Sequence, residues 1–158
     1  MGLGFKELVD RVRAQFPDAI REVVEPNGDP FAVVDGARLV EIAAFLKKTP
    51  DLDFDYLASV GGVDDLQNLW AVYHLYSIGK NHRFVLKVKL PRQGAAVPTL
   101  CPVWPTANWH ERETYDLYGI TFEGHPDPRR ILLPEDWPGH PMLKDYDFPE
   151  HYQGIPLK

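Results

Sequence analysis

The chain has 158 residues, 44% of them hydrophobic and 25% charged, with a formal net charge of −6. These totals describe one soluble domain with one core, and the acidic balance argues against a nucleic-acid partner. A single cysteine, Cys101, excludes an intrachain disulfide, a cysteine-ligated iron–sulfur cluster and a structural cysteine zinc site.

Phe5, Leu8, Val9, Val12 and Phe16 recur at helical spacing and predict an amphipathic helix that Pro17 ends. This stretch lacks the apolar core of a signal peptide. No run approaches the roughly 20 apolar residues of a membrane span. Ile20–Val24 and Phe31–Val34 read as short strands around the turn PNGDP. Asp35 can cap a second helix, in which Leu39, Ile42, Ala43 and Leu46 face one way. Lys47 and Lys48 complement its dipole, and Thr49-Pro50 stops it.

Three strands are expected next. Phe54–Val60 leads into a turn at Gly61-Gly62. Leu69–Ile78 is apolar at nearly every position, as a central strand buried on both faces would be. Over Arg83–Leu90, Phe84, Leu86, Val88 and Leu90 point one way and Arg83, Val85, Lys87 and Lys89 the other. GKNH is a hairpin connection, and the short turns argue for antiparallel pairing. Residues 1–100 thus predict an α+β domain, a mostly antiparallel sheet with helices packed on it.

After Val97 the character changes. Ten of the fifteen prolines and four of the six histidines lie there. Residues 101–134 hold a helix and a loop packed on the same domain. Thr106 or Asn108 can cap the helix, Asn108 with Glu111 as a capping box, and Gly119 suits its end. Trp109 and Leu117 are expected in the core. Residues 135–158 form a proline-rich extended segment. The apolar Ile131, Leu132, Leu133, Trp137, Met142, Leu143, Tyr146 and Phe148 require this part of the chain to lie on its own sheet or on a partner.

Glu111, Glu113 and Asp116 raise the question of catalysis. Two neighbouring carboxylates can split their pKa values and act as acid and base. Arg112, four residues before Asp116, is placed to neutralise it, which favours ionic pairing. His125, Asp127, Asp136 and His140 match no compact metal-ligand spacing. Nothing resembles a nucleophile elbow or a P-loop, and Gly61-Gly62 reads as a turn rather than a phosphate cradle. What remains is a dense polar and aromatic segment of the composition found at protein interfaces.

The run ERETYDLYGITFEGHPDPRRILLP, from Glu111 to Pro134, closely resembles the signature of the thirty-kilodalton subunit family of respiratory complex I. The bacterial form of that family is the C subunit of the proton-pumping NADH:quinone oxidoreductase. WPTANW before the run and W-x-G-H-P-x-x-K-D-Y after it are similar to the same family. The resemblance implies a structural and interface role for Trp109, Glu111, Arg112, Glu113, Asp116, Gly119, His125, Pro126, Arg129 and Arg130. It implies the same for Trp137, His140, Lys144 and Asp145. Glu111, Arg112, Glu113 and Asp116 are expected to lock the helix to the loop around His125, Arg129 and Arg130.

The resemblance further implies a scaffold subunit of the peripheral arm, with no catalytic, cofactor-binding or metal residue of its own. Iron–sulfur clusters, FMN and quinone would reside in partner subunits. The implied partners are the large subunit of the quinone chamber and the subunit holding the terminal iron–sulfur cluster. The implied place is the cytoplasmic face of the plasma membrane, reached only through the complex. Two alternatives stay open: the equivalent subunit of a membrane-bound hydrogenase or other non-NADH donor complex, and a free-standing hydrolase using Glu111, Glu113 and Asp116.

Overall fold

The computed structural model describes residues 2–26 and 28–157. Helix α1 (Phe5–Gln15) opens with the Glu7 carboxylate accepting from the Gly4 N–H at 2.8 Å and ends before Pro17. Its buried stripe is Leu8, Val9 and Val12, each contributing roughly 1.5–3 kcal/mol by burial. Strands β1 (Ile20–Val24) and β2 (Phe31–Val34) pair as a hairpin. Asn27, in the turn between them, lies outside the described residues. Asp35 caps as expected, accepting from Ala37 N–H at 3.0 Å, but the turn it caps is a short 3-10 piece, Gly36–Arg38. Helix α2 (Leu39–Lys48) follows directly.

Strands β3 (Tyr56–Asp64), β4 (Asn68–Ser77) and β5 (His82–Pro91) form an antiparallel meander. The sheet order is β1-β2-β5-β4-β3, and β2 runs parallel to β5, so the sheet is mixed. The parallel step follows from α2, whose crossover returns the chain to the far side of the sheet. The fold class is α+β, with three α-helices among the described residues.

Two strand expectations are corrected. Gly61 and Gly62 do not turn the chain; they lie inside β3. A Cβ on Gly62 would sit 2.4 Å from Tyr118 Cδ2, so this glycine admits a helix against the strand. The central strand is β5, not β4. The two faces of β4 are also unequal: Leu69, Ala71, Tyr73 and Leu75 join the main core, while His74 is exposed.

All three helices pack on that core face. Phe5 of α1 meets Phe84 of β5 edge-on at 5.6 Å. Leu39, Ile42 and Leu46 of α2 are fully buried in the same cluster. Trp104 seals the cluster, donating its indole N–H to the Phe54 carbonyl at 3.0 Å.

Strand β6 (Ala96–Pro98) pairs in parallel with β7 (Thr121–Glu123), and α3 (Ala107–Tyr118) bridges them. Thr106 stands at the start of α3 without a side-chain cap bond. Asn108 lies inside the first turn and Glu111 bonds elsewhere, so the expected capping box does not form. Gly119 ends the helix at φ +76°, as its position predicted. Trp109 is 70% exposed rather than core, and Leu117 is half-buried. The final segment folds into successive turns and a two-residue hairpin, β8 (His151–Tyr152) with β9 (Ile155–Pro156).

Candidate functional site

Helix α3 is the hub of the site. Its Glu111 and Asp116 are fully buried, which a carboxylate tolerates only with partners. The Asp116 carboxylate accepts from the backbone N–H groups of Ile131, Leu132 and Leu133 at 3.1, 2.7 and 2.8 Å. It also meets the Arg130 guanidinium at 2.7 Å. Burial pushes this carboxyl up, but the backbone N–H groups and Arg130 together hold it below its ordinary value.

Arg130 extends the clamp by donating through Nη2 to the carbonyls of Trp137 and Gly139, both at 3.0 Å. Arg112 donates to the carbonyls of Arg129 and Arg130 at 3.0 and 2.9 Å, with Asp127 at 3.4 Å. The expectation that Arg112 neutralises Asp116 is therefore corrected. The loop brings Arg130 to Asp116 and takes Arg112 for its own carbonyls. Arg129 forks onto Asp127 at 2.6 and 2.9 Å.

Glu111 accepts from the Thr99 hydroxyl at 2.5 Å and the Leu100 N–H at 2.7 Å. Burial raises its pKa against these bonds. His125 Nδ1 accepts from the Asp127 N–H and its Nε2 donates to the Asn108 carbonyl, both at 3.0 Å, which fixes the tautomer. Its ring lies 3.9 Å from the Glu111 carboxylate. Pro126 is exposed in this loop.

The C-terminal residues close over the end of α3. The His140 Nδ1 donates to the Asp116 carbonyl at 2.9 Å. Gly119 must be a glycine twice over: its φ is positive, and a Cβ would lie 2.6 Å from the His140 ring. Lys144 contributes its backbone, donating N–H to Asp64 at 2.9 Å. Arg92 joins Asp64 at 2.7 Å to Asp145 at 2.8 Å. The Trp137 indole donates to the Tyr146 hydroxyl at 3.0 Å, and its ring lies 5.0 Å from Tyr152.

The three carboxylates that suggested catalysis do not form one centre. Glu111 bonds the 99–100 strand end, Asp116 bonds the 130–133 loop, and Glu113 is exposed with no ion pair among the described residues. Beside Glu111 lies a cleft of about 220 Å³ lined by Arg112, Tyr115, Phe122 and His125, with no second carboxylate to act as acid or base partner.

The four residues weighed as metal ligands, His125, Asp127, Asp136 and His140, are engaged elsewhere: Asp136 bonds Tyr152 and His140 bonds the Asp116 carbonyl. Cys101, Glu111 and His125 do bring donor atoms within 4.8 Å of one another. Their atoms are already engaged: the thiol donates to Glu111 at 3.6 Å, and both imidazole nitrogens are bonded. Asp64, Arg92 and Thr99 are members of the site that sequence reasoning missed. Only the position of Asp64 and Arg92 at strand ends hinted at them.

Fold and site define a class: an α+β domain whose charged helix–loop segment is spent on holding its own C-terminal half. The model of the respiratory-chain NADH dehydrogenase 30 Kd subunit family matches residues 32–152. The chain is 45% identical over 148 residues to the NADH-quinone oxidoreductase C subunit of Roseiflexus sp. (strain RS-1), covering 92% of this chain and 85% of that protein. It is 45% identical over 150 residues to the C subunit of Chlorobium phaeobacteroides, covering 92% and 90%. A solved trypsin-resistant fragment of Nqo5 superimposes with a TM-score of 0.66 at 31% identity, over 77% of this chain and 97% of the fragment. A chain of an archaeal membrane-bound sulfane sulfur reductase shares the fold, with a TM-score of 0.73 at 23% identity over 90% and 85%. The chain belongs to the family of the 30 Kd subunit of respiratory-chain NADH dehydrogenase.

Proposed function

We propose that the chain is a non-catalytic scaffold subunit in the peripheral arm of a proton-translocating NADH:quinone oxidoreductase. Activity belongs to the assembled complex. Iron–sulfur clusters, FMN and quinone sit in partner subunits, and this chain packs against the large quinone-chamber subunit and the subunit with the terminal iron–sulfur cluster. It works at the cytoplasmic face of the membrane, held there by the complex; among the described residues no helix is long and apolar enough to cross a bilayer.

The carrying observation is a division of labour. The buried carboxylates and arginines of the signature are consumed in internal bonds. Meanwhile Trp109, Leu132, Met142, Phe148 and Ile155 are 70%, 60%, 51%, 49% and 63% exposed. Side chains of that type on a rigid frame suit a partner surface. Electron tunnelling depends steeply on distance, so a subunit that fixes cofactor-bearing neighbours matters without doing chemistry.

The test is purification of the tagged chain from gently solubilised membranes, with co-eluting chains identified by mass spectrometry. Recovery with iron–sulfur subunits and the quinone-chamber subunit supports the reading. A flavin NADH-binding chain or a hydrogenase-type partner then names the donor. Recovery as a lone monomer overturns it.

A further inference from the structure

Trp109 and Glu113 stand one turn apart on α3, and both are exposed, while Glu111 and Thr114 of the same helix are buried. Helical residues four apart have their Cβ atoms about 5–6 Å from each other. Helical side chains also lean toward the N-terminus, so the Glu113 carboxylate comes over the turn that carries Trp109. Neither residue spends its binding capacity within the chain. Of the four tryptophans, Trp70, Trp104 and Trp137 donate their indole N–H to Asp65, the Phe54 carbonyl and the Tyr146 hydroxyl. The Trp109 indole has no hydrogen bond, ring contact or cation over its face among the described residues. Glu113 is likewise the one carboxylate of α3 without a partner among the described residues; Glu111 is taken by Thr99 and Leu100, and Asp116 by the 130–133 loop.

A groove of about 530 Å³ runs beside Trp109, lined also by Tyr56, Leu57, Pro105 and His110, with no lysine or arginine in its wall. Tyr56 is 45% exposed at the start of β3, an edge strand of the sheet. The charged groups on the adjoining segments are spent. Asp55 accepts from the Ile78 N–H, Lys47 donates to the Val103 carbonyl, and Arg112 donates to the carbonyls of Arg129 and Arg130. The chain shows elsewhere what an aromatic face beside a carboxylate accepts. Trp70 carries the Lys89 ammonium 5.6 Å from its ring centroid, with Asp65 on its indole N–H. Phe16 and Phe31 carry Arg38 and Lys87 at 5.5 and 3.6 Å. The indole face of Trp109, the Glu113 carboxylate and the apolar groove together select a cation on an apolar stem. Arginine fits better than lysine, because its planar guanidinium stacks on an indole and forks onto a carboxylate.

We infer that Trp109 and Glu113 form the receptor for one arginine side chain of a partner subunit, with the guanidinium stacked on the indole and paired to the carboxylate and the aliphatic stem lying in the groove beside Tyr56 and Pro105. The inference rests on the reading of the chain as a subunit of a larger complex, and it names the chemistry by which the outer side of α3 is held there. Aromatic residues and arginine are the side chains that most often carry the energy of such contacts.

The experiment isolates the complex through the tagged full chain, expressed in its own host, and images it by electron cryo-microscopy. The expected map shows the guanidinium of a partner arginine against the Trp109 indole and the Glu113 carboxylate. Variants co-expressed with the unmodified chain then compete for a place in the complex. Trp109→Ala and Glu113→Lys should each lower incorporation at least about tenfold, the first by removing the stacking face and the second by opposing like charges. Both side chains are exposed and unbonded within the chain, so these variants keep the fold, which the urea midpoint of the isolated chain checks. Changing the partner arginine to glutamate should lower incorporation as Glu113→Lys does, and combining that change with Glu113→Arg should restore most of it. An assembled complex with solvent, lipid, a second copy or any residue other than arginine on Trp109 overturns the inference and leaves the subunit reading intact. A chain recovered alone overturns both. Incorporation unmoved by Trp109→Ala and Glu113→Lys overturns the inference, as does a reversed pair that restores nothing.

Discussion

Asp116 and Arg130, 14 residues apart, meet at 2.7 Å beneath the surface, and each also holds backbone the other does not reach. The aspartate gathers three N–H groups of the loop, and the arginine gathers the carbonyls of Trp137 and Gly139. Asp116→Asn leaves the guanidinium buried without its charge partner and sets an amide against N–H donors. The expected cost is about 3–5 kcal/mol, read from the urea midpoint at unchanged slope. A loss below about 1 kcal/mol would show that the clamp is not what holds the loop.

Asp116 and Asp64 titrate in the same sense. In each, burial pushes the carboxyl up and hydrogen bonds outweigh it, so the folded value lies below the ordinary one. Their stabilisation is complete above the unfolded value of about 3.9 and is lost as pH falls through the folded values. Denaturation midpoints should therefore drop steeply only on the acid side of about pH 4, and the drop should be shallower in Asp116→Asn.

Glu111 carries the opposite sign. Burial holds its carboxyl above the ordinary value, so its contribution weakens as pH rises from the unfolded value of about 4.3 through the folded one. Glu111→Gln should abolish that slope and keep the fold, since the amide oxygen still accepts from Leu100. Glu111→Ala should cost about 1–3 kcal/mol by orphaning the Leu100 N–H and the Thr99 hydroxyl. Equal behaviour of the two variants would refute this account.

An exposed position of α3 and the β3 glycine packed against that helix should separate in assembly. Trp109→Ala should change stability by no more than about 0.5 kcal/mol while lowering the amount of co-purified complex. Gly62→Ala, which drives a methyl into Tyr118, should cost about 1–3 kcal/mol. If Trp109→Ala unfolds the chain, the indole is structural after all.

Arg112→Ala should reduce the quantity of assembled complex, because the Arg129 and Arg130 carbonyls lose their donor. Turnover per assembled complex should stay unchanged. Normal assembly with reduced turnover would give Arg112 a role in the chemistry.

Strands, helices and the end of α3 were legible because periodicity and Gly119 report local constraints. Gly61-Gly62 misled because a glycine pair signals a turn, whereas here one glycine admits Tyr118. Arg112 and Asp116 are helical neighbours, and that spacing concealed Arg130, delivered by a loop whose path no local pattern predicts. The parallel pairing of β2 with β5 was hidden for the same reason. Asp64 accepts locally only from the Leu66 N–H, and the partners that bring Asp64 and Arg92 into the site arrive from residues 144 and 145, which no local pattern announces.

That last contact has a consequence in time. The Asp64 carboxylate receives the Lys144 N–H, 80 positions later in the chain. At ordinary synthesis rates the aspartate waits roughly 4–16 s on the ribosome for its final donor. Chains truncated before residue 144 never complete this closure. The clasp thus orders events in synthesis: the surfaces organised by residues 130–157 are tied to a strand made 80 positions earlier, and take shape only after Lys144 has been added.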